Sequence, residues 1–483
     1  MLSSASSIAT RNSVVSSMRS AMQVGKPQIT IIVQGEEPSQ YNGGLKSYST
    51  LDTIKGEVTI IATTADIRFD DVQITFEGKQ RTWMDRMGAI PATSGRTSST
   101  ITFLKLTQPM DETLLPHPRI LERGRKYTLP FTFVIPDRLL PTACTHTLKN
   151  DSVRDAHLQL PPSAGDPSLA TDQGCLADDL FPDMTLVSYY IQAKLVRRRE
   201  SDGKAVSLGD TFRRVRILPI VEELPPVHIE DHPGEYVMRA EKDIKKGLFK
   251  GKMGRLTVEA EQPRSLRLSK DSLCPATTMV PVSLWFTPAD EALEPPKLGS
   301  LTAKLKVLTF YSTSQLSYIP GPSSKNADPS VGYYGESLLL SSRCMEGAKW
   351  VKQPLEPGPA TTYKTTVLVP ITAPKCNELV PSFTSCLMSR SYTLDLSISV
   401  QASTHTSPSV SLKLPLQISH PATPSSPVLT VVNQNIDEFF TPRSIAPPEF
   451  EQNRSRLPGY SILAGRGVPV RIPSPVGISP GCG

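Results

Sequence analysis

The sequence predicts an all-β protein built as two β-sandwiches in tandem, and three observations predict it. Runs of alternating apolar and polar residues begin at Ile29 and recur through to Ile418, a period of two that lines one buried face of a strand. Proline is abundant, 45 of 483 residues against a usual share of about 5%, which suits strands stopped at proline and disfavours a mainly helical chain. The length exceeds what one hydrophobic core serves, so two domains plus tails follow.

In chain order, Ile54-Lys-Gly-Glu-Val-Thr-Ile60 places apolar residues or glycine at its even positions, and Val72-Gln-Ile-Thr-Phe76 does the same with apolar residues alone. Arg125-Lys-Tyr-Thr-Leu-Pro-Phe-Thr-Phe-Val-Ile-Pro136 puts Tyr127, Leu129, Phe131, Phe133 and Ile135 on one face. Pro136 stops that strand, and Pro130 inside it marks an edge position or a bulge. Val187, Tyr189, Ile191, Ala193 and Leu195 repeat the pattern, and Asp202-Gly203 turns the chain into a returning strand at Phe212–Ile217. Leu218-Pro-Ile-Val-Glu-Glu-Leu-Pro-Pro226 then punctuates the chain, giving a first sandwich over 27–219 and a second over 220–420. The second carries strand patterns at Gly254–Val258, Val280–Phe286, Leu301–Val307, Thr365–Val369, Tyr392–Val400 and Leu412–Ile418. No amphipathic helix of normal length interrupts them.

Segments outside this pattern are read differently. Leu140–Asp183 is too long for an ordinary sandwich connection, which makes it a partner-facing loop or a partly disordered one. Tyr318–Tyr334, rich in Pro, Gly and Ser, reads as a mobile loop. Residues 1–26 read as a disordered Ser-rich leader, the apolar face of Val14, Met18 and Met22 being too thin for a mitochondrial presequence. Residues 421–483 have too few apolar side chains to build a core and read as a disordered Pro-rich tail.

A formal net charge of +6 is small for this length and gives no case for nucleic-acid binding. Seven cysteines are scattered without a C-x-x-C pair, which argues against a disulfide framework and fits a reducing cytoplasm. No apolar run approaches the roughly 20 residues of a membrane span. Cys144-Thr-His146 with His157 and Cys175 supplies metal-type ligands, yet the spacing matches no standard zinc pattern, so neither a metal nor another cofactor is assigned. His157-Leu-Gln-Leu-Pro-Pro162 in the same stretch has no mechanism attached to it. Gly-x-Ser-x-Gly, a phosphate loop and His-Glu-x-x-His are all missing from the sequence, and the adjacent pairs Asp70-Asp71 and Asp178-Asp179 do not form acid–base couples by themselves. The expectation is a binding protein, not an enzyme.

Four segments carry a resemblance. Tyr48-Ser-Thr-Leu-Asp-Thr-Ile-Lys-Gly-Glu-Val-Thr-Ile60 resembles the arrestin unit in which a strand enters Gly-x-Val. Phe69-Asp-Asp-Val-Gln-Ile-Thr-Phe-Glu-Gly78 is similar to the strand that follows it. Tyr127–Pro136 is similar to the family's Phe-Pro-Phe-x-Phe-x-x-Pro strand, with Leu129 where Phe is usual. Leu379–Val400 resembles a strand pair of the C-terminal arrestin domain. Together, over about Lys26 to His420, they resemble the arrestin family in its α-arrestin form, the arrestin-related trafficking adaptors. The resemblance implies two immunoglobulin-like, arrestin-type sandwiches that link membrane cargo to a ubiquitin ligase and promote endocytosis. It also implies a cytoplasmic protein recruited to the plasma membrane and endosomes.

α-Arrestins recruit WW-domain HECT ubiquitin ligases through Pro-Pro-x-Tyr or Leu-Pro-x-Tyr, and WW grooves accept a preformed polyproline II segment at low entropic cost. This chain offers Leu457-Pro-Gly-Tyr460, in which Leu457, Pro458 and Tyr460 match. Pro447-Pro448-Glu-Phe450 departs from the motif because Phe450 has no hydroxyl. Lys194, Arg197, Arg198, Arg199, Arg213, Arg214 and Arg216 flank the hairpin turn, and on one exposed face they would clasp acidic or phosphorylated cargo tails of transporters or receptors. Lys245, Lys246, Lys250, Lys252 and Arg255 form a second basic run suited to cargo or to anionic lipid headgroups, a peripheral membrane contact. The alternative is an arrestin-fold scaffold in endosomal sorting or signalling without ligase recruitment.

Overall fold

A computed structural model describes residues 26–35, 46–86, 95–166, 179–232, 234–245, 251–268, 276–290, 292–322, 328–354, 361–374, 379–401 and 408–421. Alternating side chains build strands wherever the sequence alternates. The first sandwich contains β1 (Gln28–Val33), β2 (Ser47–Tyr48), β3 (Thr53–Ile61), β4 (Ile67–Arg68), β5 (Asp71–Arg86), β6 (Gly95–Thr107), β7 (Ile120–Leu121), β8 (Lys126–Val134), β9 (Thr185–Arg198) and β10 (Ala205–Ile217). One sheet runs β1-β3-β8 and is antiparallel throughout. The facing sheet runs β2-β10-β9-β5-β6, with β2 parallel to β10. The small pair β4-β7 lies beside them.

The core of this sandwich is the predicted inward face. Tyr127, Leu129, Phe131, Phe133 and Ile135 are all buried. Phe133 packs against Phe76 with ring centroids 5.8 Å apart, and Phe76 meets Tyr189 of the same sheet at 6.0 Å. Among the described residues β8 pairs only with β3, so of the edge position or bulge that Pro130 marked, the edge is what is observed.

The second sandwich contains β11 (Arg239–Lys245), β12 (Lys252–Ala260), β13 (Leu266–Arg267), β14 (Thr277–Pro288), β15 (Leu298–Ser312), β16 (Val331–Cys344), β17 (Val351–Pro354), β18 (Thr361–Thr372), β19 (Phe383–Thr384), β20 (Met388–Val400), β21 (Ser409–Leu416) and β22 (Ile418–Ser419). Its sheets run β11-β12-β14-β18-β17 and β16-β15-β20-β19, with β21 added on β20. The end of the segment expected to be a mobile loop is strand instead: Val331–Tyr334 open β16 and pair with Thr309–Ser312 of β15. The aromatics decide this, because Tyr333 packs on Phe310 with centroids 5.4 Å apart. The described residues form an all-β fold of packed sheets, as the alternation predicted.

The long connection between β8 and β9 is ordered chemistry where it is described. Its helix α1 (Asp151–His157) starts at Asn150, whose side chain accepts a hydrogen bond from the Val153 N–H. After it, Leu158, Leu160, Pro161 and Pro162 are buried, and the buried Tyr189 hydroxyl donates to the Pro161 carbonyl at 2.6 Å. The motif His157–Pro162 is therefore the anchor that ties the connection to the core.

The described residues of both sandwiches belong to one compact unit. The first core continues into the second sandwich through Tyr311, Val380, Phe383, Cys386 and Met388. Buried polar groups cross with it: Thr82 Oγ1 donates to the Ser312 carbonyl at 2.6 Å, and Ser385 Oγ donates to Gln80 Oε1 at 3.0 Å. Arg390 is buried and donates to the carbonyls of Asp179 and Leu180 at 3.3 and 3.1 Å. Its guanidinium lies over the Phe181 ring at 3.5 Å. No helix among the described residues is long and apolar enough to cross a membrane.

Candidate functional site

The outer face of the β10-β9-β5-β6 sheet follows from register. Lys105, Glu77, Tyr190 and Arg214 stand opposite one another across four strands, and Gln73, Lys194 and Asp210 form a second row. Glu77 is the buried centre of the first row. It accepts from the Tyr190 hydroxyl at 2.8 Å and pairs with Lys79 at 3.0 Å and Lys105 at 3.3 Å. Burial alone would raise its pKa, but Tyr190, Lys79 and Lys105 outweigh it and hold the carboxyl below its ordinary value. Two ammoniums around one carboxylate leave the row with positive charge facing solvent. Phe212, 58% exposed, packs edge-on against Tyr190.

The hairpin cations do not all share this face. Arg214 and Arg216 alternate onto the outer side with Lys194, whereas Arg213 stands opposite buried Ile191 and points the other way. Arg214 pairs with the buried Asp166 at 2.5 Å. Arg197, Arg198 and Arg199 are exposed at the tip, where Arg197 pairs with Glu200 at 3.9 Å and Arg199 with Asp202 at 3.4 Å. The turn closes as the Asp202-Gly203 signal implied, with Gly203 at φ +66°.

The second basic run is largely neutralised where it is described. Lys252 pairs with Asp243 at 2.8 Å, and Arg255 pairs with Asp243 at 3.2 Å and with Glu241 at 3.5 Å. Hydrogen bonds from Lys252 and then Arg255 hold the Asp243 carboxyl below its usual range. Lys245 is exposed at the end of β11. Lys246 and Lys250, together with Pro447, Pro448, Leu457, Pro458 and Tyr460, lie outside the described residues.

A third constellation sits where the two sandwiches meet, and sequence spacing alone did not assemble it. Cys144 follows a short 3-10 turn over Pro141–Ala143, His146 comes two residues later, and His157 ends α1. The fourth member is Cys386, in the turn between β19 and β20. Cys175, the sequence-based partner, lies outside the described residues. The four donor atoms all lie within 4.8 Å of one another. Cys144 Sγ is 3.5 Å from His157 Nδ1 and 3.7 Å from His146 Nδ1. Cys144, His157 and Cys386 are buried, and neither cysteine is in a disulfide. Burial, with His146 second, lowers His157 to about 4, and burial, with Cys144 second, pushes the Cys386 thiol up to about 12. The Asn150-Asp151 helix start was a readable local signal for the placement of His157. Nothing local to Cys386 announces its partners.

No family model matches this chain, and no curated protein sequence matches it.

Proposed function

We propose that this chain is a non-catalytic, arrestin-type adaptor in the cytoplasm. In this reading an acidic or phosphorylated tail of a membrane transporter or receptor lies along the β9–β10 side of the first sandwich. Leu457-Pro-Gly-Tyr460 recruits a WW-domain HECT ubiquitin ligase to that cargo, which is then internalised. One observation carries the cargo side of the reading: exposed Arg197, Arg198 and Arg199 at the hairpin tip continue into a sheet face bearing Lys79, Lys105 and Lys194 beside exposed Phe212. Guanidinium forks bind carboxylates and phosphates bidentately, and an exposed aromatic adds apolar contact area. The acids at the tip, Glu200 and Asp202, are themselves surface groups at 3.9 and 3.4 Å, a separation that incoming phosphate displaces at small cost.

Fluorescence anisotropy with a labelled acidic peptide, phosphorylated and unphosphorylated, tests the face. The triple variant Arg197→Glu, Arg198→Glu, Arg199→Glu is expected to lose at least about tenfold in affinity, and wild-type binding is expected to weaken as salt rises. Equal affinity of variant and wild type removes the cargo face. A pull-down on a WW-domain array tests the ligase arm. Binding that persists in Tyr460→Ala removes that site, and an intact chain that captures no WW domain favours the scaffold alternative.

A further inference from the structure

We infer that Cys144, His146, His157 and Cys386 bind a zinc-class divalent ion that clasps the two sandwiches together. Three of the donors come from the β8–β9 connection of the first sandwich and one from the β19–β20 turn of the second.

The spacing of the donors fits an ion. With Zn–S of about 2.3 Å and Zn–N of about 2.0–2.1 Å, a tetrahedral site holds its sulfur and nitrogen donors about 3.6 Å apart. Cys144 Sγ stands 3.5 Å from one imidazole nitrogen and 3.7 Å from the other. A set of two thiols and two imidazoles, with no carboxylate in it, is soft. It suits zinc and disfavours calcium or magnesium, which take oxygen ligands.

The surroundings prepare the ligands. His146 Nε2 lies 2.8 Å from the Leu316 carbonyl. A carbonyl only accepts, so this nitrogen carries the proton and leaves the Nδ1 lone pair toward Cys144. The same Leu316 residue donates its N–H to the Cys386 carbonyl at 2.8 Å. One peptide segment of the second sandwich thus orients a ligand from each side. The site is largely enclosed, because Cys144 and Cys386 belong to the apolar core with Val380, Phe383 and Met388 and His157 is buried, while His146 is half-buried. A dipositive ion with two thiolates and two neutral imidazoles has no net charge, so its burial there carries no net ionic penalty. On binding, each thiol gives its proton to solvent and its sulfur bonds the metal. No oxidant or reductant is needed.

The chemical rival for the same sulfurs is a Cys144–Cys386 disulfide, which would forbid the site. The test uses the full chain, purified from zinc-supplemented cells and dialysed into metal-free buffer. Elemental analysis is expected to find about one zinc per chain. Cys386→Ser is expected to lower that occupancy at least about tenfold, whereas Cys344→Ser, at an exposed cysteine outside the cluster, leaves it unchanged. Because Cys386→Ser could disturb packing, a second measurement uses wild type alone. Cobalt(II) added to the chelator-stripped chain is expected to give thiolate-to-metal charge-transfer absorption and the intense visible bands of a tetrahedral site. Folded wild type that binds neither ion overturns the inference. So does zinc retained by folded Cys386→Ser, or a Cys144–Cys386 disulfide in the mass spectrum of unreduced protein.

Discussion

Replacing Gly56 with alanine tests the packing of the first sandwich more sharply than any deletion of core volume. Gly56 lies in β3, between Val33 of β1 and Phe131 of β8. A Cβ there would stand 2.3 Å from the Ile32 carbonyl oxygen and 2.4 Å from Phe131 Cζ. Both neighbours are held. The carbonyl belongs to the β1 backbone, and the Phe131 ring is buried against Phe133 with centroids 5.7 Å apart. Overpacking a core by one methyl costs about 1–3 kcal/mol, and a clash with backbone puts this site at the upper end. For a domain of about this size 1 kcal/mol moves Tm by roughly 2–4 °C, so Gly56→Ala should lower the transition by about 6–12 °C in differential scanning calorimetry. Phe131→Leu removes the Cζ atom but not the Ile32 carbonyl. The double variant should therefore be more stable than the two single losses sum to, by about 0.5 kcal/mol or more, without returning to wild type. A Gly56→Ala transition within about 2 °C of wild type refutes the packing argument.

Three further outcomes follow from buried polar groups. Arg390→Met removes the hydrogen bonds to the Asp179 and Leu180 carbonyls and should cost at least about 1.5 kcal/mol, read as a lower urea midpoint; an unchanged midpoint contradicts the role assigned to this buried arginine. Tyr189→Phe leaves the Pro161 carbonyl without its donor and should cost about 1–3 kcal/mol while speeding protease cleavage within 140–166, so unaltered cleavage counts against the anchor. Glu77 titrates below its ordinary value of 4.5 when folded, so its ionised form contributes stability that is present above that value and lost as pH falls through the lower folded value. Wild type should exceed Glu77→Gln in stability at neutral pH and converge with it in acid, and a gap that widens on acidification reverses the sign argued here.

Much of the fold was legible because its signals are local. Tyr127, Leu129, Phe131, Phe133 and Ile135 face inward for a reason contained in nine consecutive residues, and all five are buried. The Asp202-Gly203 turn was equally readable, since glycine at φ +66° meets a purely local steric demand. Composition misled at Tyr318–Tyr334, where Gly, Pro and Ser suggested a loop throughout. The strand at its end is held by Phe310 and Tyr333, a contact between strands that composition does not contain. The hairpin cations were correctly placed on strands and a turn, but a cluster in sequence is not a cluster in space. Strand alternation sends Arg213 to one side and Arg214 and Arg216 to the other.

By itself the sequence determined the strands around Ile54–Ile60, Val72–Phe76, Tyr127–Ile135 and Val187–Leu195, which of their faces turn inward, and that Pro130 would mark an edge or a bulge; it marked no strand at β6 or β11. Those properties depend on neighbours one or two residues away. Only the tertiary structure decided that Cys386 joins Cys144, His146 and His157, and that Lys252 and Arg255 spend their charge on Asp243 and Glu241. Such meetings depend on how sheets stack and strands register. Side chains remote in the chain come within a few ångströms there, and no local period encodes that distance.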